Sequence, residues 1–127
     1  MKVTMFKDQF SALVKSGRKL QTVRPTPKRM VKIGEHRSLR RWTGKPYRSR
    51  QEELLQVVVT AVQWITIFDM DGMRICLEGY WLNDPAMEAF AKADGFTDSE
   101  QMHRWFDHEH NISGRPFYGI VIHWRPA

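Results

Sequence analysis

The stretch Ser16-Gly17-Arg18-Lys19-Leu20-Gln21-Thr22-Val23-Arg24 joins a predicted helix to a predicted strand, and the fold is read outward from it. Upstream, Phe6, Phe10, Leu13 and Val14 fall at i, i+4, i+7 and i+8, which is one face of a helix over Asp8–Lys15. Gly17 stops that helix, because glycine adopts the left-handed C-cap conformation at little cost. Downstream, Leu20–Arg24 reads as a strand closed by Pro25 and Pro27. The same segment gathers an amine, a hydroxyl and a guanidinium on Lys19, Thr22 and Arg24. Lys19 and Thr22 are three apart and so face opposite sides of a regular strand; a turn or bulge must lie between them if their tips are to converge.

The rest of the chain alternates strand and helix signals. Val3–Met5 reads as a short strand, and His36–Trp42 as another after the Ile33-Gly34-Glu35 turn. Leu54–Phe68 is rich in Val, Ile, Thr and Trp and too long for one flat strand, so a bend or bulge is expected within it. Asp71-Gly72 is a hairpin signal with Met73–Leu77 returning. Asp84-Pro85 opens a helix to about Ala93, with Asp84 as the expected N-cap. The capping-box spacing of Thr97 and Glu100 opens another, to about His108. Phe117–Trp124 closes the chain as a strand. This order predicts a single α+β domain with a largely antiparallel, curled sheet.

Composition and charge narrow the function classes. The 127 residues are 42% hydrophobic and 27% charged, which is globular. No run of about 18 apolar residues exists, so no membrane-spanning helix and no membrane partner are expected. Cys76 is the only cysteine, so no internal disulfide and no multi-cysteine metal site can form. With no apolar leader at the N-terminus, a reducing cytoplasm fits best. Residues 1–55 carry 15 Lys/Arg against 4 Asp/Glu, and residues 56–127 carry 5 against 10. A basic half of this kind attracts phosphates by releasing their counterions, although a net charge of +6 also simply keeps a protein soluble. The loop around residues 43–51 is polar and basic, broken by Gly44 and Pro46.

Four motifs together resemble the ASCH domain family. They are Phe10 through Arg24 with its Gly17-Arg18-Lys19-x-x-Thr22-Val23-Arg24 core, Lys32-Ile33-Gly34-Glu35, Ala93-Asp94-Gly95-Phe96, and Pro116 through Trp124. The resemblance spans nearly the whole chain and is most specific in the first motif. It implies a PUA-like small β-barrel of mostly antiparallel strands, with an N-terminal helix and two short helices before the last strand. It also implies that RNA or a modified nucleotide binds in a basic cleft beside the barrel. One small bacterial branch hydrolyses N4-acetylcytidine to cytidine and acetate with a Lys, a Thr and a Glu. Carried onto this chain, these are Lys19, Thr22 and Asp94. Asp94 is one methylene shorter than the family's Glu, and a misplacement of about 1 Å can cost about 100-fold in rate. The basic insertion between Gly44 and Gln51 is a second departure.

In the amidohydrolase reading, Lys19 acts as a neutral amine that takes the Thr22 proton. Thr22 attacks an amide carbonyl, and Asp94 protonates the leaving nitrogen. Otherwise Lys19 is a surface charge and Thr22 an ordinary strand residue. Arg24 either grips an anion in a bidentate pair or makes a structural salt bridge, with Asp94 as one partner. Arg18, Lys28, Arg29, Arg41, Lys45, Tyr47 and Arg48 complete the candidate nucleotide-binding set. Basic residues interleaved with aromatics suit single-stranded nucleic acid, but Trp42 reads better as core and Tyr47 as exposed. RNA cleavage, and a regulatory role with a protein partner, are further alternatives. Trp64, Phe68, Trp105, Phe106, Phe117 and Trp124 are expected in the core, and Cys76 as a buried hydrophobe. His103, His108 and His110 lack helical zinc-pair spacing, so no metal and no cofactor are expected.

Overall fold

A computed structural model describes residues 1–127. The elements follow the order β1 (Lys2–Phe6), α1 (Asp8–Lys15), β2 (Gln21–Pro25), β3 (His36–Trp42), β4 (Gln51–Asp69), β5 (Met73–Leu77), β6 (Tyr80–Trp81), α2 (Asp84–Ala93), α3 (Ser99–His110) and β7 (Phe117–Pro126). The fold is α+β: one seven-stranded, mostly antiparallel sheet and three helices.

β4 organises the sheet. It is 19 residues long, and its pairing with β7 slips between Val59 and Ala61, leaving Thr60 as the extra residue of a bulge. That bend lets one strand serve three partners. One edge of β4 pairs with β7 over most of its length, and the other pairs with β3 at one end and β5 at the other. β2 joins the outer edge of β7, and β1 joins β3 as the only parallel pair.

The sheet does not close into a barrel. β1 pairs only with β3 and β2 only with β7, so two strand edges are left without a ladder between them. Arg24 of β2 reaches across the gap. Its Nη2 donates to the backbone carbonyl of Met5 at 2.7 Å, so a side chain occupies an acceptor that a neighbouring strand would use. The guanidinium also lies over the Phe6 ring, 4.8 Å from its centroid.

The helices pack on one face of the sheet. Phe10 and Val14 of α1, Phe90 and Ala91 of α2, and Met102 and Phe106 of α3 share one cluster with Ile65, Ile67, Ile75 and Val121. Val31, Val59, Ile120 and Ile122 form a smaller second cluster. Trp64, expected in the core, is 53% exposed. It alternates with the buried Ile65 and so points away from the helices. Phe68 and Cys76 are half-buried on that same face, away from the helices.

Two caps sit one residue from their expected positions. α2 is capped by Asn83, whose side chain accepts from Ala86 N, and not by Asp84. α3 is capped by Asp98, with Gln101 reaching back to Thr97 N at 2.7 Å. In each case the side chain that meets the third residue onward wins, because it satisfies an otherwise orphaned N–H.

Gly119 holds β2 against β7. A Cβ there would lie 2.2 Å from the Arg24 carbonyl oxygen and 2.7 Å from the Phe117 ring. Backbone cannot yield cheaply, so Gly119→Ala is expected to lose about 1–3 kcal/mol of stability, read as a lower urea midpoint at unchanged slope.

Candidate functional site

The open seam between β1 and β2 leads into a pocket of about 190 Å³. Its walls come from Met5, Phe6 and Lys7 of β1 and its exit, Phe10 of α1, Lys19 and β2, Asp94 after α2, and Trp105, Phe106, Glu109 and His110 of α3. For scale, an apolar cavity of about 150 Å³ accommodates benzene, so one planar ring with substituents fits.

Two chain reversals place the charged pair. α1 ends at Ser16, Gly17 takes φ +78°, and Lys19 N donates to Leu13 O at 2.9 Å. α2 ends in a Schellman arrangement: Phe96 N donates to Ala91 O and Gly95 N to Lys92 O, with Gly95 at φ +99°. Leu20 N then donates to Ala93 O at 2.8 Å and stitches the two ends together. Glycine is required at 95 by that φ, and a Cβ there would already touch Leu13 at 3.3 Å and the Lys19 stem at 3.4 Å.

Lys19 is only 2% exposed and Asp94 3%. The Lys19 ammonium donates to the Asp94 backbone carbonyl, and its Nζ lies 3.4 Å from Asp94 Oδ2. It also sits over the Phe10 ring, 4.7 Å from the centroid. The carbonyl it meets belongs to the C-terminal end of α2, whose dipole favours a cation. Gln21 Nε2 approaches Asp94 Oδ1 at 3.4 Å. Burial pushes the Asp94 carboxyl up to about 6, against the pull of Lys19, Gln21 and Arg24. Burial likewise lowers the Lys19 amine, against the stabilising Asp94 charge. Removal from water thus drives both partners toward their neutral forms.

Thr22 is buried at the pocket wall, and its Oγ accepts from Arg24 Nε at 3.2 Å. No hydrogen bond joins it to Lys19, whose amine is turned to Asp94. The irregular residues Lys19 and Leu20 lie before β2 and supply the break that lets Lys19 and Thr22 face one cavity. Arg24 makes no salt bridge, to Asp94 or to any other carboxylate. Its guanidinium is lowered to about 10, first by burial and then by the Arg37 charge, against the pull of Asp94. It is a partly buried cation in a pocket wall with no counter-ion.

The sequence reading missed the role of α3. Trp105, expected in the core, lines the pocket, and its Nε1 is the one buried side-chain nitrogen or oxygen in the molecule without a hydrogen-bond partner. Periodicity distinguishes apolar faces, but not a packed indole from one that borders a cavity. Glu109 and Lys7 pair across the rim at 2.5 Å. Burial lowers the His110 imidazole, whose ring packs against Phe106 and Phe117.

The basic field divides into committed and free charges. Arg41 is tied to Asp8 at 2.9 Å and to Glu52 at 2.7 Å, so its charge is internally spent. Arg18, Lys28, Arg29, Lys45 and Arg48 are exposed and make no ion pair. Arg29 shares a second cleft with Arg24 and Arg37 beyond the seam. Lys45, Tyr47 and Arg48 lie outside the main pocket, on the 43–50 loop. Comparison with protein-family models, with curated proteins and with solved structures returns no match to this chain.

Proposed function

We propose that the chain is an ASCH-like, PUA-like domain whose open β1–β2 seam is bridged by Arg24, and that the seam pocket binds one base of RNA or of a modified nucleoside. The observation that carries this reading is an orphaned donor beside an unpaired charge in the pocket wall. Trp105 Nε1 is buried without an acceptor, and Arg24 is partly buried without a counter-ion. An unpaired buried donor costs about 1–3 kcal/mol, which a ligand oxygen would recover. Phe6, Phe10 and Trp105 supply aromatic walls for a planar ring. The free cations around the chain's basic half suit the phosphates on either side of such a base.

The test is titration of the protein with N4-acetylcytidine and with short labelled RNAs. Binding to RNA is expected to fall steeply as salt rises. Trp105→Phe keeps an aromatic wall and deletes the donor, so it should weaken N4-acetylcytidine by about five- to tenfold. The smaller ring also loses packing against Phe10, Phe96 and Phe106, which urea unfolding reads separately. A variant that binds as tightly as the wild type would exclude the indole N–H from recognition. Salt-insensitive or absent RNA binding would remove the RNA reading.

The amidohydrolase reading is favoured by a separate observation, the displaced titration of Asp94 and Lys19 within one cavity. Groups of opposite duty shifted toward neutrality are what acid–base chemistry near pH 7 requires. In that reading the Thr22 hydroxyl loses its proton to the Lys19 amine and its Oγ attacks the acetyl carbonyl. The carbon–nitrogen bond breaks as Asp94 protonates the amine of cytidine. Water then hydrolyses the acetyl-threonine and releases acetate.

A further inference from the structure

A second groove adjoins the pocket. It encloses about 380 Å³ and is lined by Met5, Phe6, Lys7, Asp8, Trp42, Gly44, Pro46 and Tyr47. Met5, Phe6 and Lys7 belong to the walls of both cavities, so the groove continues the seam pocket across the end of β1.

The far wall of the groove is an aromatic pair. The rings of Trp42 and Tyr47 stand 5.2 Å apart, centroid to centroid, tilted by 50°. Tyr47 is 89% exposed, so burial does not explain its position. Its backbone sits at φ 63°, in the left-handed region that a bulky residue rarely adopts. The surrounding loop imposes that conformation. Ser49 Oγ donates to Lys45 O at 2.8 Å and accepts from Gly44 N at 3.0 Å, while Thr43 N donates to Arg50 O at 2.9 Å. An exposed ring held in a costly conformation by a tied loop is a presented group.

Charge indicates what it is presented to. Lys45, Arg48 and Arg50 share the loop with Tyr47, are exposed and make no ion pair, while Asp8 in the groove is already paired with Arg41. Aromatic rings beside free cations suit a base and its phosphates.

Resting on the reading of the seam pocket as a base site, we infer that the Trp42–Tyr47 groove is a second subsite that stacks the neighbouring base of a single-stranded nucleic acid. The ligand is then an oligonucleotide, with one base in the seam pocket, the next against Tyr47, and the phosphates beyond it near Lys45 and Arg48. The basic insertion is thus what selects a polymer over a free nucleoside.

The test compares hexacytidylate, as RNA and as DNA, with N4-acetylcytidine on the wild type, Tyr47→Ala and Tyr47→Phe. Hexacytidylate is expected to bind the wild type more tightly than the nucleoside. Tyr47→Ala should reduce that preference about tenfold, the scale of one lost base–aromatic stack, and Tyr47→Phe should restore it. The RNA and DNA arms show which strand the subsite takes. If Tyr47→Ala keeps the wild-type preference, the second subsite is wrong and the base pocket stands. If the wild type binds neither hexacytidylate nor N4-acetylcytidine, the pocket reading fails and takes the subsite with it.

Discussion

Lys19→Met is expected to lose about 3–5 kcal/mol of folding stability at pH 7, the cost of stranding a buried carboxylate by removing its partner. Asp94 is nearly inaccessible and its carboxyl is held at about 6, so near neutral pH it is largely ionised. Methionine supplies the volume of the lysine stem, and Phe10 still covers it, but no charge answers the oxygens. Adding Asp94→Asn should return at least half of the loss, because the amide needs no counter-charge and its oxygen still meets Gln21. Urea unfolding of the wild type, the two single variants and the double variant reads this directly. A Lys19→Met protein within about 1 kcal/mol of wild type would mean that the pair contributes as a solvated surface pair does.

The same pair sets a pH dependence whose sign is fixed. The folded Asp94 carboxyl titrates at about 6, against 3.8 when unconstrained, so the folded chain holds this proton more tightly than the unfolded chain. Its contribution to stability is fully present below the unfolded value and is lost as pH rises through about 6. Glu52, Glu53, Asp107 and Glu109 are lowered by their hydrogen bonds and act in the opposite direction at acid pH. The wild type should therefore be compared with Asp94→Asn. Between pH 7 and pH 4 the wild type should gain about 2–3 kcal/mol on that variant. A gap that does not change with pH would place Asp94 in water.

The helix, the Gly17 stop and the strand after it were legible because each rests on local chemistry: a 3.6-residue period, a left-handed cap and prolines after the strand. Asp94 came only from the family resemblance, as the position of that family's Glu; its Schellman cap, with Gly95 at φ +99°, is a finding of the fold. What is absent from local pattern is decided by contacts across the chain. Trp64 alternates as a core residue would, yet its face is covered only in part: its ladder partner Ile120 is buried in the second cluster while Trp64 itself is 53% exposed, and alternation does not show where cover ends. The bridge across the open seam depends on Arg24 finding the Met5 carbonyl, 19 residues away. The pocket wall on α3 was hidden because Trp105 has the spacing of a packed core residue, and its orphaned Nε1 exists only once the rings around it are in place. The motifs imply a barrel; the sheet that forms is open, with the Arg24 side chain bridging β2 to β1 where a ladder would run.

Thr22→Val tests the chemistry at the point where binding and hydrolysis part. The substitution keeps the branched shape at a buried strand position and removes only the hydroxyl, which now accepts from Arg24 Nε. If the pocket hydrolyses N4-acetylcytidine, turnover should fall by about 10³-fold or more, the usual scale for deleting a nucleophile, while Thr22→Ser should retain a measurable share. Hydroxyl loss with retained binding would appear in kcat and leave the ligand affinity largely in place. A pH profile adds a readout that a merely structural threonine cannot move. The wild-type rate should bend near pH 6, where the Asp94 carboxyl titrates, and again at the lowered value of the Lys19 amine. Asp94→Asn should erase the bend near pH 6. A wild type that binds N4-acetylcytidine without releasing acetate would dismiss the hydrolase and leave a base-binding pocket in which the Lys19–Asp94 pair is structural. That outcome has a geometric rationale already present: the Lys19 amine is turned to the Asp94 carbonyl and not to Thr22, so catalysis requires the bound ligand to redirect it.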